Sequence, residues 1–182
     1  MINIVQIGVG YWGPNLLRNL VQNEFCNVKS VADLSEERRD FVREKYSEII
    51  TTNNYQEIIN DSDIDAVVIS TPAHTHFEIA MMALEKGKHV LVEKPMAMSV
   101  NEVEEIEKLA DKNNLVAMVG HTFLFNQAVR KVKEIIDSGE LGEIRYIYSQ
   151  RLNLGRIRSD VDALWNLAPH DISIIQYWLG NP

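Results

Sequence analysis

Three glycines constrain the fold of this chain more than any other residues. Gly8, Gly10 and Gly13 form a G-x-G-x-x-G pattern directly after the apolar run Ile2–Ile7, and a helical apolar pattern follows at positions 16, 17, 20 and 21. In this arrangement the first glycine allows a tight turn, the second leaves the backbone open to a pyrophosphate, and the third lets the helix pack on the strand. The pyrophosphate then meets a helix N-terminus, where unpaired N–H groups and the dipole favour negative charge. The pattern predicts a dinucleotide-binding turn.

Asp33 stands twenty positions after the last glycine, at the end of the apolar run 28–32. A carboxylate there accepts hydrogen bonds from an adenosine ribose and repels a 2′-phosphate, which predicts NAD rather than NADP as the cofactor. The alternative is a glycine turn in an ordinary α/β protein. In that case Asp33 is the N-cap of the helix that starts near Ser35 and Arg38.

Strand and helix patterns alternate through residues 1–120 with short connections. Further strands are predicted at 49–50, Ala66–Ile69, His89–Val92 and 116–119, and helices near 36–42 and at 55–60, 74–86 and 100–113. This alternation predicts a doubly wound parallel α/β sheet of the Rossmann type, which binds ligands beyond the carboxyl ends of its strands. The groups expected on that rim are Gly8 to Gly13, Asp33, Ser70-Thr71-Pro72, Glu93-Lys94-Pro95 and Gly120 to Thr122.

The pattern changes after residue 120, and we expect residues 121–182 to be the incomplete beginning of an α+β second domain. A helix is predicted at Gln127–Asp137 and a strand at 144–151. A polar loop is predicted at 152–162, followed by a helix at 164–179 that Pro169 interrupts. Residues 1–120 are then the NAD-binding domain, and the remainder is part of a substrate and oligomerisation domain.

The composition excludes several classes of protein. Residues 1–120 carry 11 basic and 19 acidic side chains, which argues against a nucleic-acid partner. No apolar run is long enough to cross a membrane, and the first strand starts at Ile2 without a basic leader, so no signal peptide is expected. The single cysteine, Cys26, fits a reducing compartment and predicts a cytoplasmic location. No set of His, Cys and carboxylate residues has metal-ligand spacing, so no metal is expected.

Lys94 and several histidines are candidates for chemistry, each with an alternative. A lysine at a strand end on the cofactor rim acts as an acid, a base or a hydrogen-bond donor, or else it is a surface lysine before Pro95. His74 and His76 are either rim contacts or residues of a helix start. His121 follows a strand end, where it either touches ligand or has no such role.

Four motifs in order resemble the glucose–fructose oxidoreductase/inositol dehydrogenase (Gfo/Idh/MocA) family: the glycine turn, Ser70-Thr71-Pro72, Glu93-Lys94-Pro95 and Pro169-His170-Asp171. The resemblance implies hydride transfer between a nicotinamide and a sugar or polyol carbon, and a homo-oligomer built on the sheet of the second domain. It implies that Lys94 lies near the reacting carbon and that His170 is the acid/base, although His170 alone also fits a helix-boundary histidine. The position four residues earlier is often aspartate in the family. Here it is Asn166, which carries no charge.

Residues 148–171 are most similar to the branch of the family that acts on UDP-linked N-acetyl sugars or their uronic acids. Arg151, Arg156 and Arg158 meet phosphate or carboxylate in that case, or else they are solvated loop charges. The expected cofactor contacts are Gly8, Gly10, Tyr11, Trp12, Gly13, Asp33, Arg38, Ser70, Thr71, Pro72, His76, Glu93 and Lys94. The expected substrate contacts are His121, Arg151, Asn166 and His170.

Two other functions stay open. One is a non-catalytic NAD-binding regulator or interaction module, against which Lys94 and His170 argue, because a cofactor sensor needs neither. The other is redox-neutral chemistry of the same family with tightly held NAD. Because family members continue past the position that matches residue 182, we expect a fragment of a longer enzyme. Such a fragment keeps the dinucleotide site, turns over sugar poorly or not at all, and either self-associates or leaves its C-terminal segment loosely packed. The alternative is a natural short protein whose last helix folds back on the Rossmann domain.

Overall fold

The computed structural model describes residues 1–152 and 161–181, which form two compact units, one from Met1 to Gly120 and one from His121 onward. The first unit contains a six-stranded sheet in which every pair of neighbours is parallel. Its strands are β1 (Ile2–Ile7), β2 (Cys26–Ala32), β3 (Ile50–Thr52), β4 (Ala66–Ile69), β5 (His89–Val92) and β6 (Ala117–Val119). Their order in the sheet is β3-β2-β1-β4-β5-β6. This is the order of the doubly wound dinucleotide-binding fold, so the predicted fold class is confirmed.

Helices connect the strands, as parallel pairing requires. In the first unit they are α1 (Gly13–Gln22), α2 (Glu36–Lys45), α3 (Tyr55–Ile59), α4 (His76–Glu85) and α5 (Val100–Lys112). A 3₁₀ turn at Ala73–Thr75 precedes α4, so that helix begins two residues later than the sequence pattern indicates. No helix within residues 1–152 or 161–181 has both the length and the apolar character needed to cross a membrane.

The sheet is buried on both faces. Val31 and Ala32 are consecutive in β2 and pack into two different apolar clusters, because successive side chains of a strand point to opposite faces. One cluster includes Leu17 of α1 and Val42 of α2. The other includes Ile106 of α5. Helices therefore cover each face and leave the ends of the strands as the places where a ligand can reach the backbone.

The carboxyl ends of five strands are aligned by backbone hydrogen bonds. The residue after each of four strands donates its N–H to the carbonyl oxygen of the last residue of the neighbouring strand, at 2.8 Å in every case. These pairs are Gly8 to Ala32, Ser70 to Ile7, Glu93 to Ile69 and Gly120 to Val92. The groups that the sequence places on one rim are therefore neighbours across the sheet.

The second unit contains α6 (Gln127–Asp137) and α7 (Ala163–Leu179). The indole N–H of Trp178 donates to the Val129 carbonyl oxygen at 2.9 Å, and Lys133 Nζ donates to the Trp178 carbonyl oxygen at 3.1 Å. These bonds join the C-terminal end of α7 to α6.

Two predictions for the second unit are wrong. The expected strand at 144–151 has no regular secondary structure, because a strand needs a neighbour to pair with and the described part of this unit contains none. The expected interruption at Pro169 is also absent from the described helix, which runs through it from Ala163 to Leu179. Proline removes one backbone donor, and the other hydrogen bonds of this 17-residue helix suffice to keep it continuous.

Candidate functional site

The glycine-rich turn between β1 and α1 is shaped by close backbone packing. Gly8 has a φ of +90°, and a Cβ there would lie 2.7 Å from the Ser70 carbonyl oxygen. A Cβ on Gly13 would lie 2.6 Å from the Gly8 carbonyl oxygen. A Cβ on Gly10 would meet no atom of the described chain within 4 Å. The turn therefore needs two of its glycines for its own packing, and the third leaves its outer side open to a phosphate group.

The side chain of Gln6 supports the turn from inside β1. It is fully buried, and its Nε2 donates to the carbonyl oxygens of Gly8 and Gly13 at 2.9 Å each. Ser70 Oγ donates to the same Gly8 oxygen at 2.7 Å. Gln6 was not among the residues expected from the sequence, where Ile2–Ile7 counts as one apolar run. A polar residue inside a strand buried on both faces was the signal available there.

Asp33, which follows β2, binds the same turn through its carboxylate. Oδ2 accepts the Val9 N–H at 2.8 Å, and Oδ1 accepts the Ser35 N–H at 2.9 Å. The alternative role of Asp33 as a helix cap is wrong, because the N-cap of α2 is Ser35, whose Oγ accepts the Arg38 N–H at 3.4 Å. Asp33 is half-buried and joins the turn to the end of β2.

Arg39 holds the backbone of Asp33. Its side chain is 10% exposed, and its Nη1 donates to the Asp33 carbonyl oxygen at 2.5 Å. It also pairs with Glu36, and hydrogen bonds from Arg43 and Arg39 lower the pKa of that carboxyl. The sequence pointed to Arg38, whose side chain is exposed. Helical spacing was the missed signal, since residue 39 lies three before the buried Val42 and so on the inner face of α2.

His76 at the start of α4 is buried, with only 1% of its surface exposed. Its Nδ1 lies 2.7 Å from the Pro95 carbonyl oxygen, and its Nε2 lies 2.9 Å from the Thr71 carbonyl oxygen. The expected direct cofactor contact is therefore not supported, because both ring nitrogens face backbone carbonyl groups. The histidine instead links the loop after β4 to the loop after β5. His74 is exposed in the preceding 3₁₀ turn.

Glu93 and Lys94 follow β5. Both side chains are half-buried, and the peptide bond between Lys94 and Pro95 is cis. Burial raises the pKa of Glu93, and hydrogen bonds from the Lys94 N–H, 3.2 Å away, and from Trp12 partly offset the rise. A Cβ on Gly120 would lie 3.0 Å from Glu93 Oε1. The Glu93 carboxyl therefore connects the glycine turn, the Lys94 loop and the end of β6.

Within the first unit, the structure brings together most of the residues expected to bind the cofactor. The glycine turn contacts both Asp33 and Ser70, and its Trp12 reaches Glu93, the neighbour of Lys94. The hydroxyl of Thr71 accepts a hydrogen bond from Thr75 at 2.7 Å. The side chains of Tyr11, Arg38 and Pro72 are exposed around this rim. Their contacts with a cofactor stay predictions.

In the second unit, His170 lies on α7 one helical turn after Asn166. Its imidazole packs against Phe123, with the ring centroids 4.7 Å apart. The guanidinium of Arg151 lies 5.0 Å from the centroid of that phenyl ring, and Arg151 Nε donates to Asp171 Oδ2 at 2.6 Å. This hydrogen bond is the main cause of the lowered pKa of Asp171. Two of the expected substrate contacts, His170 and Arg151, therefore pack against the same phenyl ring.

His121 is the first residue of the second unit and is half-buried. Burial lowers the pKa of its imidazole, and its Nδ1 has no hydrogen-bond partner within residues 1–152 and 161–181. A neutral imidazole is therefore the favoured form, and its contact with a substrate stays a prediction. Arg156 and Arg158, the other expected phosphate contacts, lie outside the described residues.

The parallel sheet and its glycine turn define a dinucleotide-binding Rossmann protein. Residues 2–121 match the family model GFO_IDH_MocA, which is described as an oxidoreductase family with an NAD-binding Rossmann fold. This match covers more than half of the chain, so the protein belongs to the Gfo/Idh/MocA oxidoreductase family.

Similar proteins of this family carry out several reactions. A 4-carboxy-2-hydroxymuconate-6-semialdehyde dehydrogenase of a Sphingobium species is 30% identical, over 98% of this chain and 59% of that protein. A 2,7-anhydro-N-acetylneuraminate hydratase of Mediterraneibacter gnavus is 30% identical, over 80% of this chain and 38% of that protein. The solved structure of a myo-inositol 2-dehydrogenase from Lactobacillus plantarum matches with a TM-score of 0.74 and 27% identity, over 79% of this chain and 43% of that one. The chain spans about half the length of the curated relatives it matches.

Proposed function

We propose that this chain supplies the dinucleotide site and the Lys94 rim of an NAD-dependent dehydrogenase that acts on a secondary hydroxyl of a sugar or polyol. One observation carries the proposal. The glycine turn, Asp33 and the Glu93–Lys94 pair follow neighbouring parallel strands, and side-chain hydrogen bonds connect the turn to both Asp33 and Glu93. Oxidoreductase chemistry agrees with the family to which the chain belongs.

The residues present fit a dinucleotide. Gly10 leaves the outer side of the turn open, and the N-terminus of α1, which no side chain caps, presents the positive end of the helix dipole to a pyrophosphate. The Asp33 carboxylate already accepts the Val9 N–H, and its remaining lone pairs can accept ribose hydroxyls. Its negative charge favours NAD over NADP. The bound nicotinamide supplies the group that takes or gives the hydride.

We assign the protein's part of the chemistry to two residues. Oxidation of an alcohol requires removal of the hydroxyl proton, and an imidazole is suited to accept it near pH 7. This role goes to His170, which packs against Phe123. A lysine cation stabilises the developing alkoxide, and this role goes to Lys94 on the cofactor rim. The two residues belong to different units, and both assignments follow the family resemblance.

Nucleotide sugars are the finer proposal for the substrate. It rests on the similarity of residues 148–171 to enzymes of UDP-linked N-acetyl sugars. The structure adds that Arg151 is already bound by Asp171, so part of its charge is neutralised inside the protein. Arg156 and Arg158 then become the residues on which recognition of a diphosphate depends. A polyol such as inositol needs none of these charges, so the two substrate classes are separable by experiment.

A second candidate is redox-neutral chemistry with tightly held NAD. The observation that favours it is the 30% identity to a hydratase, because hydration involves no net oxidation. In that case NAD stays with the protein through purification, and turnover produces no net NADH.

The test is a spectrophotometric screen for NADH formation, with NAD, by the protein extended past residue 182 to the length of its relatives, because this chain spans about half their length. The substrates are inositols, UDP-N-acetylhexosamines and UDP-N-acetylhexosaminuronic acids, and Lys94→Met is the inactive control. NADH formation that requires Lys94 supports the proposal. The non-catalytic module is the better explanation if the wild type binds NAD but turns over none of the substrates, and if Lys94→Met behaves like the wild type in every assay. Light scattering in the same buffers tests the expected homo-oligomer.

A further inference from the structure

We propose that Gln6 is a positioning residue for the cofactor: its buried amide sets the shape of the glycine turn that receives the pyrophosphate. The inference rests on the proposed function only in taking a dinucleotide as the ligand. Gln6 contacts the turn from inside the sheet. It lies away from the open side, where the pyrophosphate is expected to bind.

The position of Gln6 is unusual for a glutamine. It lies in β1, in the centre of the sheet between β2 and β4, and its side chain is fully buried. A central parallel strand is covered by helices on both faces, so its side chains are normally apolar. The flanking residues Val5 and Ile7 follow that rule, and Gln6 alone of the three carries an amide into the interior.

The amide of Gln6 connects both ends of the turn. Nε2 donates at 2.9 Å to the Gly8 carbonyl oxygen and at 2.9 Å to the Gly13 carbonyl oxygen, so one nitrogen holds the first and last glycines of the motif. A Cβ on Gly13 would lie 3.2 Å from this nitrogen, which shows how closely α1 approaches it. The Gln6 side chain therefore fixes the distance between the two ends of the turn from the buried side.

Neither carbonyl group depends on Gln6 for a partner. Gly8 O also accepts the Ser70 hydroxyl at 2.7 Å. Gly13 is the first residue of α1, so its carbonyl lies in position to accept the helical N–H four residues later. Gln6 Oε1 is itself buried without a hydrogen-bond partner in the described part of the chain, which disfavours the folded state. The stability of the fold alone thus gives little reason for a glutamine here.

Control of the turn's shape is a reason that remains. The Val9 N–H donates to Asp33, the Asn15 N–H donates to the Trp12 carbonyl oxygen, and Pro14 has no N–H, so cofactor phosphates depend on the other N–H groups of the turn. These N–H groups bind a phosphate most tightly when they already point toward it in the free protein, because less conformational entropy is then lost on binding. Without the Gln6 amide, the Gly8 and Gly13 carbonyl groups keep their other hydrogen bonds, but the backbone of the turn can change its shape.

The test compares two substitutions at Gln6 by thermal unfolding and by calorimetric titration with NADH. Gln6→Met keeps the length of the side chain and removes both donors and the unpaired oxygen. We expect a melting temperature equal to or above that of the wild type and an NADH Kd about tenfold weaker. Gln6→Glu places an oxygen against two carbonyl oxygens, so we expect both stability and NADH affinity to fall. Ile106→Val, a fully buried change in α5, is the control for loss of core packing and should leave the NADH Kd unchanged.

ADP-ribose locates the effect on the molecule. It keeps the pyrophosphate and lacks the nicotinamide, so Gln6→Met should weaken ADP-ribose and NADH by the same factor. An NADH Kd of Gln6→Met equal to that of the wild type would overturn the inference. A Gln6→Met protein that binds NADH more weakly and also melts at a lower temperature would overturn it too, because a purely structural role explains both changes. If the wild type fails to bind NADH, the proposed function fails, and the inference fails with it for that separate and visible reason.

Discussion

The Asp33 carboxylate accepts the Val9 N–H at 2.8 Å, which binds the end of β2 to the glycine turn between β1 and α1. The same side chain is the one that discriminates between NAD and NADP in the proposed function. Its negative charge and its hydrogen bond to the turn are two separate properties. Substitutions that remove one property or both therefore have different expected effects.

Asp33→Asn removes the charge and keeps an oxygen that can accept the Val9 N–H. We expect the wild type to bind NADH more tightly than NADPH, and Asp33→Asn to narrow that ratio by about tenfold. Asp33→Ala also removes the bond to the turn, so its affinity for both cofactors should fall below that of Asp33→Asn. Calorimetric titration of the three proteins with each cofactor measures these ratios. Equal or tighter binding of NADPH by the wild type contradicts the assignment of Asp33.

Gly10 and Gly8 offer a matched pair of substitutions in one turn. A Cβ at Gly10 meets no described atom, so Gly10→Ala should leave the melting temperature nearly unchanged while it obstructs the approach of a pyrophosphate. Gly8→Ala combines a φ of +90° with a Cβ 2.7 Å from the Ser70 carbonyl oxygen, so it should lower stability and binding together. Thermal unfolding and NADH titration separate the two cases. A strongly destabilised Gly10→Ala protein is the result that conflicts with the structure.

Lys94→Met tests the catalytic assignment. The substitution removes the cation and keeps most of the side-chain volume, so kcat should fall by about 10²-fold or more if Lys94 stabilises the alkoxide. The Kd for NADH should change by less than about threefold, because the glycine turn and Asp33 are expected to provide most of the binding contacts. Lys86→Met, at an exposed position after α4, is the control for loss of a positive charge. Unaltered turnover in Lys94→Met would show that Lys94 has no catalytic role.

Much of the first unit is predictable because local patterns and the fold agree. Apolar runs such as Ala66–Ile69 mark strands that are buried on both faces, and parallel pairing then sends every strand end to the same rim. The sequence alone therefore predicts that the residues after β1, β4 and β5 lie on that rim. Motif spacing and sheet direction were sufficient for this step.

Contacts that depend on how side chains meet across the fold were not predictable in the same way. Gln6 and Arg39 both bind backbone carbonyl oxygens from buried positions, and each was covered by a simpler pattern in the sequence. The strand predicted at 144–151 is wrong for a related reason. Alternation of apolar and polar residues indicates two different faces, but it does not show whether a neighbouring strand is present to pair with. His76 was placed near the correct loops, but its ring points inward to carbonyl groups.

Glu93 provides a prediction about stability and pH. Burial raises the pKa of this carboxyl above its ordinary value of 4.5, so the folded protein holds the proton more tightly than the unfolded chain. The raised pKa therefore favours the fold when the carboxyl is protonated, and that advantage is lost as the pH rises through the folded pKa. Glu93→Gln removes the ionisation and keeps one oxygen, which can accept the Lys94 N–H. We expect a melting temperature a few degrees above that of the wild type at about pH 8.

The difference between the two proteins should depend on pH in one direction only. As the pH falls below the folded pKa of Glu93, the wild-type carboxyl takes up its proton and the stability advantage of Glu93→Gln shrinks. Below the ordinary value of 4.5 the ionisation of Glu93 contributes nothing to the difference. Glu107→Gln on the exposed side of α5 is the matched control and should show no such trend. Melting curves of the three proteins across about pH 4 to 8 measure the effect. A Glu93→Gln protein that is less stable than the wild type at neutral pH would show that the bonds of the carboxylate to Trp12 and Lys94 outweigh its burial.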